Sequence, residues 1–126
     1  MARQIITTDA APGSPLFSQG IRAGSTVFVS GMVGIDVATG ELPESIQDQT
    51  RQSIRNCATV LEAGEASLDD VTMVTVLLAD PQDFGGMNEA YAEAFGENPP
   101  ARAVARLGPE LPGIRVSIFM TAHVED

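Results

Sequence analysis

Apolar positions alternate with period two toward the end of the chain and recur with helical spacing in two stretches of its middle. The clearest alternation closes the sequence. Ile114, Val116, Ile118, Met120, Ala122 and Val124 form one face, against Arg115, Ser117, Phe119, Thr121 and His123 on the other, which predicts a strand with one buried face. Val71 to Ala79 is a second strand. Its faces, Val71/Met73/Thr75/Leu77 and Thr72/Val74/Val76/Leu78, are both largely apolar, the mark of a central strand covered on both sides. Thr26 to Ser30 reads as a buried strand ending at Gly31, paired as a hairpin with 17–22 across the turn at Ala23-Gly24-Ser25. Gln4 to Thr8 is short and β-branched, an edge strand, followed by a Pro/Gly turn region from Ala10 to Ser14.

Two helices are expected. From Ser45 to Ala63, Ile46, Thr50, Ser53/Ile54, Cys57 and Val60/Leu61 make one apolar face, with Gly64 as the residue just past its end. From Asp83 to Phe95, Phe84, Met87, Tyr91 and Ala94/Phe95 make another, with Asn88 beside it and Gly96 as the stop. Pro99-Pro100 cannot continue that helix and forces an extended entry into a strand. On this strand Arg102, Val104 and Arg106 share one face, and Ala101, Ala103, Ala105 and Leu107 the other. The small, apolar alanine face is expected to pack on helices. The first face carries a guanidinium, whose planar fork matches a carboxylate or phosphate. Two helices cover one face of a five- or six-stranded sheet, so the second apolar face calls for self-association in closed symmetry.

Composition narrows the functional classes. The 126 residues, 44% hydrophobic and 19% charged, suit one globular domain over 1–126. A formal net charge of −10 repels phosphate backbones and argues against nucleic acid and anionic membrane as partners. The single cysteine, Cys57, lies on the buried stripe of the first helix. It reads as a core residue of a protein from a reducing, cytoplasmic compartment. No run approaches the ~18 apolar residues of a membrane span, and the first residues lack the apolar core of a signal peptide. One His and one Cys make no metal site, the acids show no ligand spacing, and Gly31-Met32-Val33-Gly34 is no phosphate loop. His123 reads as a solvated surface residue.

Short blocks spread along nearly the whole chain resemble the Rid (reactive intermediate deaminase, or YjgF) family. They are Ser18-Gln19-Gly20, Val29-Ser30-Gly31, Thr39-Gly40-Glu41, Gln49 through Asn56, Val76-Leu77-Leu78-Ala79-Asp80, Asp83-Phe84, Met87-Asn88-Glu89-Ala90-Tyr91, Pro100-Ala101-Arg102 and Leu111-Pro112. The resemblance implies an α+β, chorismate-mutase-like fold, a mixed sheet with both helices on one face. It further implies a homotrimer with ligand clefts between subunits. The implied reaction is hydrolysis of 2-imino or 2-enamino acids to 2-keto acids and ammonia, without metal or organic cofactor. Arg102 would hold the substrate carboxylate, and Ser30 and Asn88 would line the cleft.

The departures from the family pattern are specific. Phe17 stands where active members have Tyr, and Val104 where they have Cys. A water-orienting Glu of the closing strand aligns with Phe119, or with Met120 if the longer Leu107–Leu111 loop shifts the alignment by one. The substrate-binding set is therefore Phe17, Ser30, Asn88, Arg102, Val104 and Phe119, with Arg102 also catalytic. These changes fit a bulkier, more apolar substrate. The alternatives are a Rid-fold protein of specialised metabolism with a non-hydrolytic step, or a non-catalytic trimeric binder of small carboxylates. Ribonuclease activity, also attached to parts of the family, fits poorly with so acidic a chain.

Overall fold

The computed structural model describes residues 2–125. In chain order the elements are β1 (Gln4–Ile6), β2 (Gly20–Ala23), β3 (Thr26–Val33), α1 (Ile46–Ala63), β4 (Val71–Leu78), α2 (Phe84–Phe95), β5 (Ala101–Arg106) and β6 (Val116–His123). The strands form one sheet in the order β1-β2-β3-β6-β4-β5. All neighbours are antiparallel except β4 and β5. Because β3 and β4 both run antiparallel to β6, they are parallel to each other, and α1 is the crossover between them. The α2 helix is the crossover from β4 to β5. Both crossovers advance in the same direction along the sheet, and right-handed connections then put both helices on the same face.

That face holds the core. Val27, Val29 and Met32 of β3, Val74, Val76 and Leu78 of β4, and Val116, Ile118, Met120 and Ala122 of β6 are buried with Ile54, Cys57, Val60 and Leu61 of α1 and Met87 and Tyr91 of α2. Cys57 is fully buried, its Sγ 3.4 Å from the Ile118 carbonyl oxygen, and burial pushes its thiol pKa well up. Ser45 caps α1, accepting from the Asp48 N–H.

Among the described residues, none forms a layer over the opposite face. A row of paired residues crosses all six strands, Ile5–Ile21–Phe28–Thr121–Met73–Ala101, and Ile5, Phe28, Met73 and Phe119 of this face are all exposed. The two apolar faces of β4 are thus covered on one side only within a single chain.

Two local expectations are corrected. The helix-facing side of β5 is the Arg102/Val104 side, not the alanine side. Parallel pairing sets Arg102 beside Val74 and Val104 beside Val76, and since Val74 and Val76 face the helices, so do their neighbours. At the end of α1, Gly64 is the cap itself, and Glu65 takes the left-handed conformation at φ 64°. The N–H groups of Glu65 and Ala66 close the turn on Glu62 and Leu61. A β-carbon at 64 would lie 2.5 Å from Ile6 Cδ1, so a larger residue there would make that side-chain tip turn aside.

Candidate functional site

Arg102 leaves the edge strand β5 on the helix side and reaches α2. Its Nη1 donates to Asn88 Oδ1 at 2.7 Å and points toward Met87 Sδ at 3.9 Å. The guanidinium carbon lies 4.7 Å from the centroid of the Tyr91 ring and 5.8 Å from that of Phe84, within cation–π range of both. The helical spacing of Phe84, Met87, Asn88 and Tyr91 brings one aromatic pair, one thioether and one amide to a single guanidinium. Asn88 and Tyr91 thus fix its plane without neutralising it, and among the described residues no carboxylate lies within 4.0 Å of it. Burial raises the Tyr91 pKa, with the Arg102 charge pulling the other way.

Val104, two residues on, shares a cavity of about 470 Å³ with Leu78, Pro81, Phe84, Ala105 and Arg106. The result is an apolar hollow beside a held, uncompensated cation.

A second cluster lies on the open face of the sheet. The β3–β6 ladder slips between Val29 and Met32, and the irregularity turns Ser30 and Gly31 toward a hollow of about 310 Å³ lined also by Phe17, Val29 and Phe119. The Ser30 hydroxyl donates to the Ser18 carbonyl at 2.5 Å, and its N–H to the Gln19 carbonyl. Gln19 is itself buried. Its carboxamide accepts from the Thr8 N–H and donates to the carbonyls of Thr8, Ala11 and Pro12, which ties down the loop that carries Phe17. Phe119 is 40% exposed. Met120, the other position considered for the family's acid, is only 1% exposed and faces the helices, so it cannot reach this hollow.

The six candidate residues therefore fall into two groups. Asn88, Arg102 and Val104 gather at the β5–α2 edge on the helix side, and Phe17, Ser30 and Phe119 gather on the open face. Within one chain the groups are not brought together: β6 and β4 separate β3 from β5, and the faces are opposite. Three neighbours were missed as site residues. Tyr91 and Phe84 were read only as helix-stripe residues, although i, i+3/i+4 spacing from Asn88 and Met87 could have placed them under the arginine. Ser117 shares the open face with Phe119, and its Oγ comes within 3.0 Å of where a β-carbon on Gly31 would sit. Strand periodicity alone put it on that face. Among the described residues no three His, Cys, Asp or Glu side chains gather as a metal cluster, and no helix is long and apolar enough to cross a membrane.

The family described as endoribonuclease L-PSP matches residues 8–124. A RutC family protein of Pyrococcus horikoshii is 42% identical over 126 residues, covering 98% of this chain and 99% of its own length. The rat 2-iminobutanoate/2-iminopropanoate deaminase is 36% identical over 118 residues, covering 92% and 86%. Among solved structures, Escherichia coli TdcF with bound serine superposes with a TM-score of 0.90 at 32% identity, over 97% of this chain and 99% of that one.

Proposed function

The chain belongs to the Rid family, described as endoribonuclease L-PSP and including 2-iminobutanoate/2-iminopropanoate deaminases, and from that premise we propose that it hydrolyses 2-imino and 2-enamino acids to 2-keto acids and ammonia. The observation that carries the reading is the Arg102 guanidinium, positioned by Asn88 and Tyr91 yet lacking a carboxylate of its own. A cation held in this way is an anchor for an anionic group that the chain does not supply. With the carboxylate on Arg102, the imine carbon is open to water. Water adds to the C=N bond and one of its protons goes to nitrogen. The resulting carbinolamine collapses to a C=O group and releases ammonia, with no net gain or loss of electrons. What the protein contributes is orientation and fixed dipoles. The Ser30 hydroxyl, its proton committed to the Ser18 carbonyl, offers lone pairs that can accept from the substrate or the water.

The site is completed, on this reading, by a neighbouring copy. Its open-face hollow, with Phe17, Ser30 and Phe119, would cover the Arg102 edge of the first, in a homotrimer. The exposed apolar row across the sheet supports such cover. The lone buried thiol supports a reducing, cytoplasmic setting. A charge of −10 opposes an RNA backbone, which makes ribonuclease activity the weakest of the readings for this chain.

One observation favours a second reading. Phe119, with no acid to orient water, suits a trimeric binder of small carboxylates or a non-hydrolytic step in specialised metabolism. A single assay separates these. Imines are generated from amino acids by an amino-acid oxidase, and ammonia and keto-acid release are followed with and without the protein. Acceleration over the spontaneous rate is expected. No acceleration, with keto-acid binding retained, would replace the enzyme by the binder.

A further inference from the structure

Arg102 is not the only cation on its face of β5. Arg106 lies four residues on, and both side chains leave the strand toward the helix side, as does Val104 between them. Arg106 lines the same cavity as Val104, Phe84, Leu78 and Pro81, and among the described residues it makes no ion pair. Phe84 joins the two ends, since its ring wall also lies 5.8 Å from the Arg102 guanidinium. The cavity is therefore an apolar trough with Arg106 in its wall and the Arg102 guanidinium just beyond Phe84, on a protein that carries 17 acids and only seven basic residues.

The spacing defines what would fit. Four strand residues set the α-carbons of Arg102 and Arg106 about 13 Å apart at ~3.3 Å each, and side chains rising side by side from one face would keep that spacing between their guanidinium carbons. A bidentate guanidinium–carboxylate pair takes up about 4 Å between its central carbons at each end. That leaves roughly 5 Å, the separation of the terminal carbons in an extended five-carbon dicarboxylate with ~1.5 Å bonds. Such a molecule would lay its methylenes along Val104 and Phe84.

We propose that Arg106 is a second carboxylate anchor, so that this site selects 2-imino acids, and the 2-keto acids they yield, whose five- or six-carbon chain ends in a second carboxylate. The proposal rests on the reading of Arg102 as the first anchor. It refines the expected bulky, apolar substrate into one with an apolar stem and an acidic tip. The inner carboxylate binds Arg102, the imine carbon lies next to it, and the distal carboxylate meets Arg106 at the rim of the trough.

The test compares 2-oxoglutarate with 2-oxopentanoate, which has the same chain length but no distal carboxylate, by titration calorimetry on the intact protein. Wild type should bind 2-oxoglutarate about tenfold to a hundredfold more tightly, the range of one charge-assisted contact. Arg106→Gln should collapse that ratio toward one, and Arg102→Ala should weaken both ligands. Equal binding of the two ligands by wild type, or a ratio that Arg106→Gln leaves intact, overturns the second anchor. If Arg102→Ala alters neither ligand, the first anchor fails as well. That outcome is distinct from a lost Arg106 effect with Arg102 dependence preserved.

Discussion

At the scale of single residues, Arg102 does two jobs that substitutions can separate. Its aliphatic stem crosses the helix side of β5, and its guanidinium is clamped between Asn88 and the Tyr91 ring. Arg102→Ala should remove about 1.5–3 kcal/mol of carboxylate binding and abolish turnover, while far-ultraviolet circular dichroism stays that of wild type. Arg102→Lys keeps the charge but loses the planar fork, so only partial recovery is expected; full activity in Arg102→Ala would refute the anchor. Phe119 makes the complementary case. An acid at this position would orient the attacking water, help worth about 10²–10⁴ in rate, and phenylalanine gives none of it. Hydrolysis of 2-aminoacrylate, the smallest substrate, should therefore be slow relative to imines with longer side chains, and Phe119→Glu should raise it. Phe119 is 40% exposed in the single chain, and cover by a neighbouring copy would raise the pKa of a carboxylate placed there, so assembly is checked alongside the rates. Ammonia release by both proteins across a substrate series decides the matter, and unchanged 2-aminoacrylate rates would show that water is held elsewhere, with Ser117 the adjacent polar group.

At the scale of elements, the distance between α1 and the sheet is set partly by a missing side chain. A β-carbon on Gly34 would come 2.7 Å from the Gln49 carbonyl oxygen and 2.9 Å from its Cα, and helix backbone cannot rotate aside as a side chain can. Gln49 in turn holds the loop before β6, donating to the Pro43 and Gly113 carbonyls and accepting from the Arg115 N–H. Gly34→Ala should destabilise the protein by about 1–3 kcal/mol, read as a lower urea midpoint at unchanged slope; a midpoint equal to wild type would mean that α1 shifts freely. Elements of this kind were readable from sequence where periodicity is strong, as in β6, α1 and α2, whose bounds fall within two residues of expectation. The face of β5 was not. Its alanines and arginines were sorted by polarity, whereas what orients an edge strand is its register with the neighbour, and register is a long-range property that no local pattern carries. Arg102 could still be singled out because the Pro-Pro entry marks the strand. The aromatic seat beneath it lies on a different element, and only the fold shows the two in contact.

At the scale of the whole molecule, a mostly apolar row, interrupted by Thr121, runs from Ile5 to Ala101 with no layer of described residues over it, and mass measurement in solution should give three chains. A stable monomer at micromolar concentration would remove both the cover and the composite site. The division of candidate residues between opposite faces has a genetic consequence. If each cleft takes its arginine edge from one copy and its serine–phenylalanine hollow from the next, the two halves are separable alleles. An Arg102→Ala chain lacks only the first half, and a chain with a bulky substitution at Ser30 lacks only the second, so each alone is inactive. Co-refolded in equal amounts, they would assemble at random, and about one cleft in four would receive an intact half from each side. Two dead proteins would thereby restore roughly a quarter of the activity of the living one, whereas a site contained within one chain would leave the mixture as inactive as its parts.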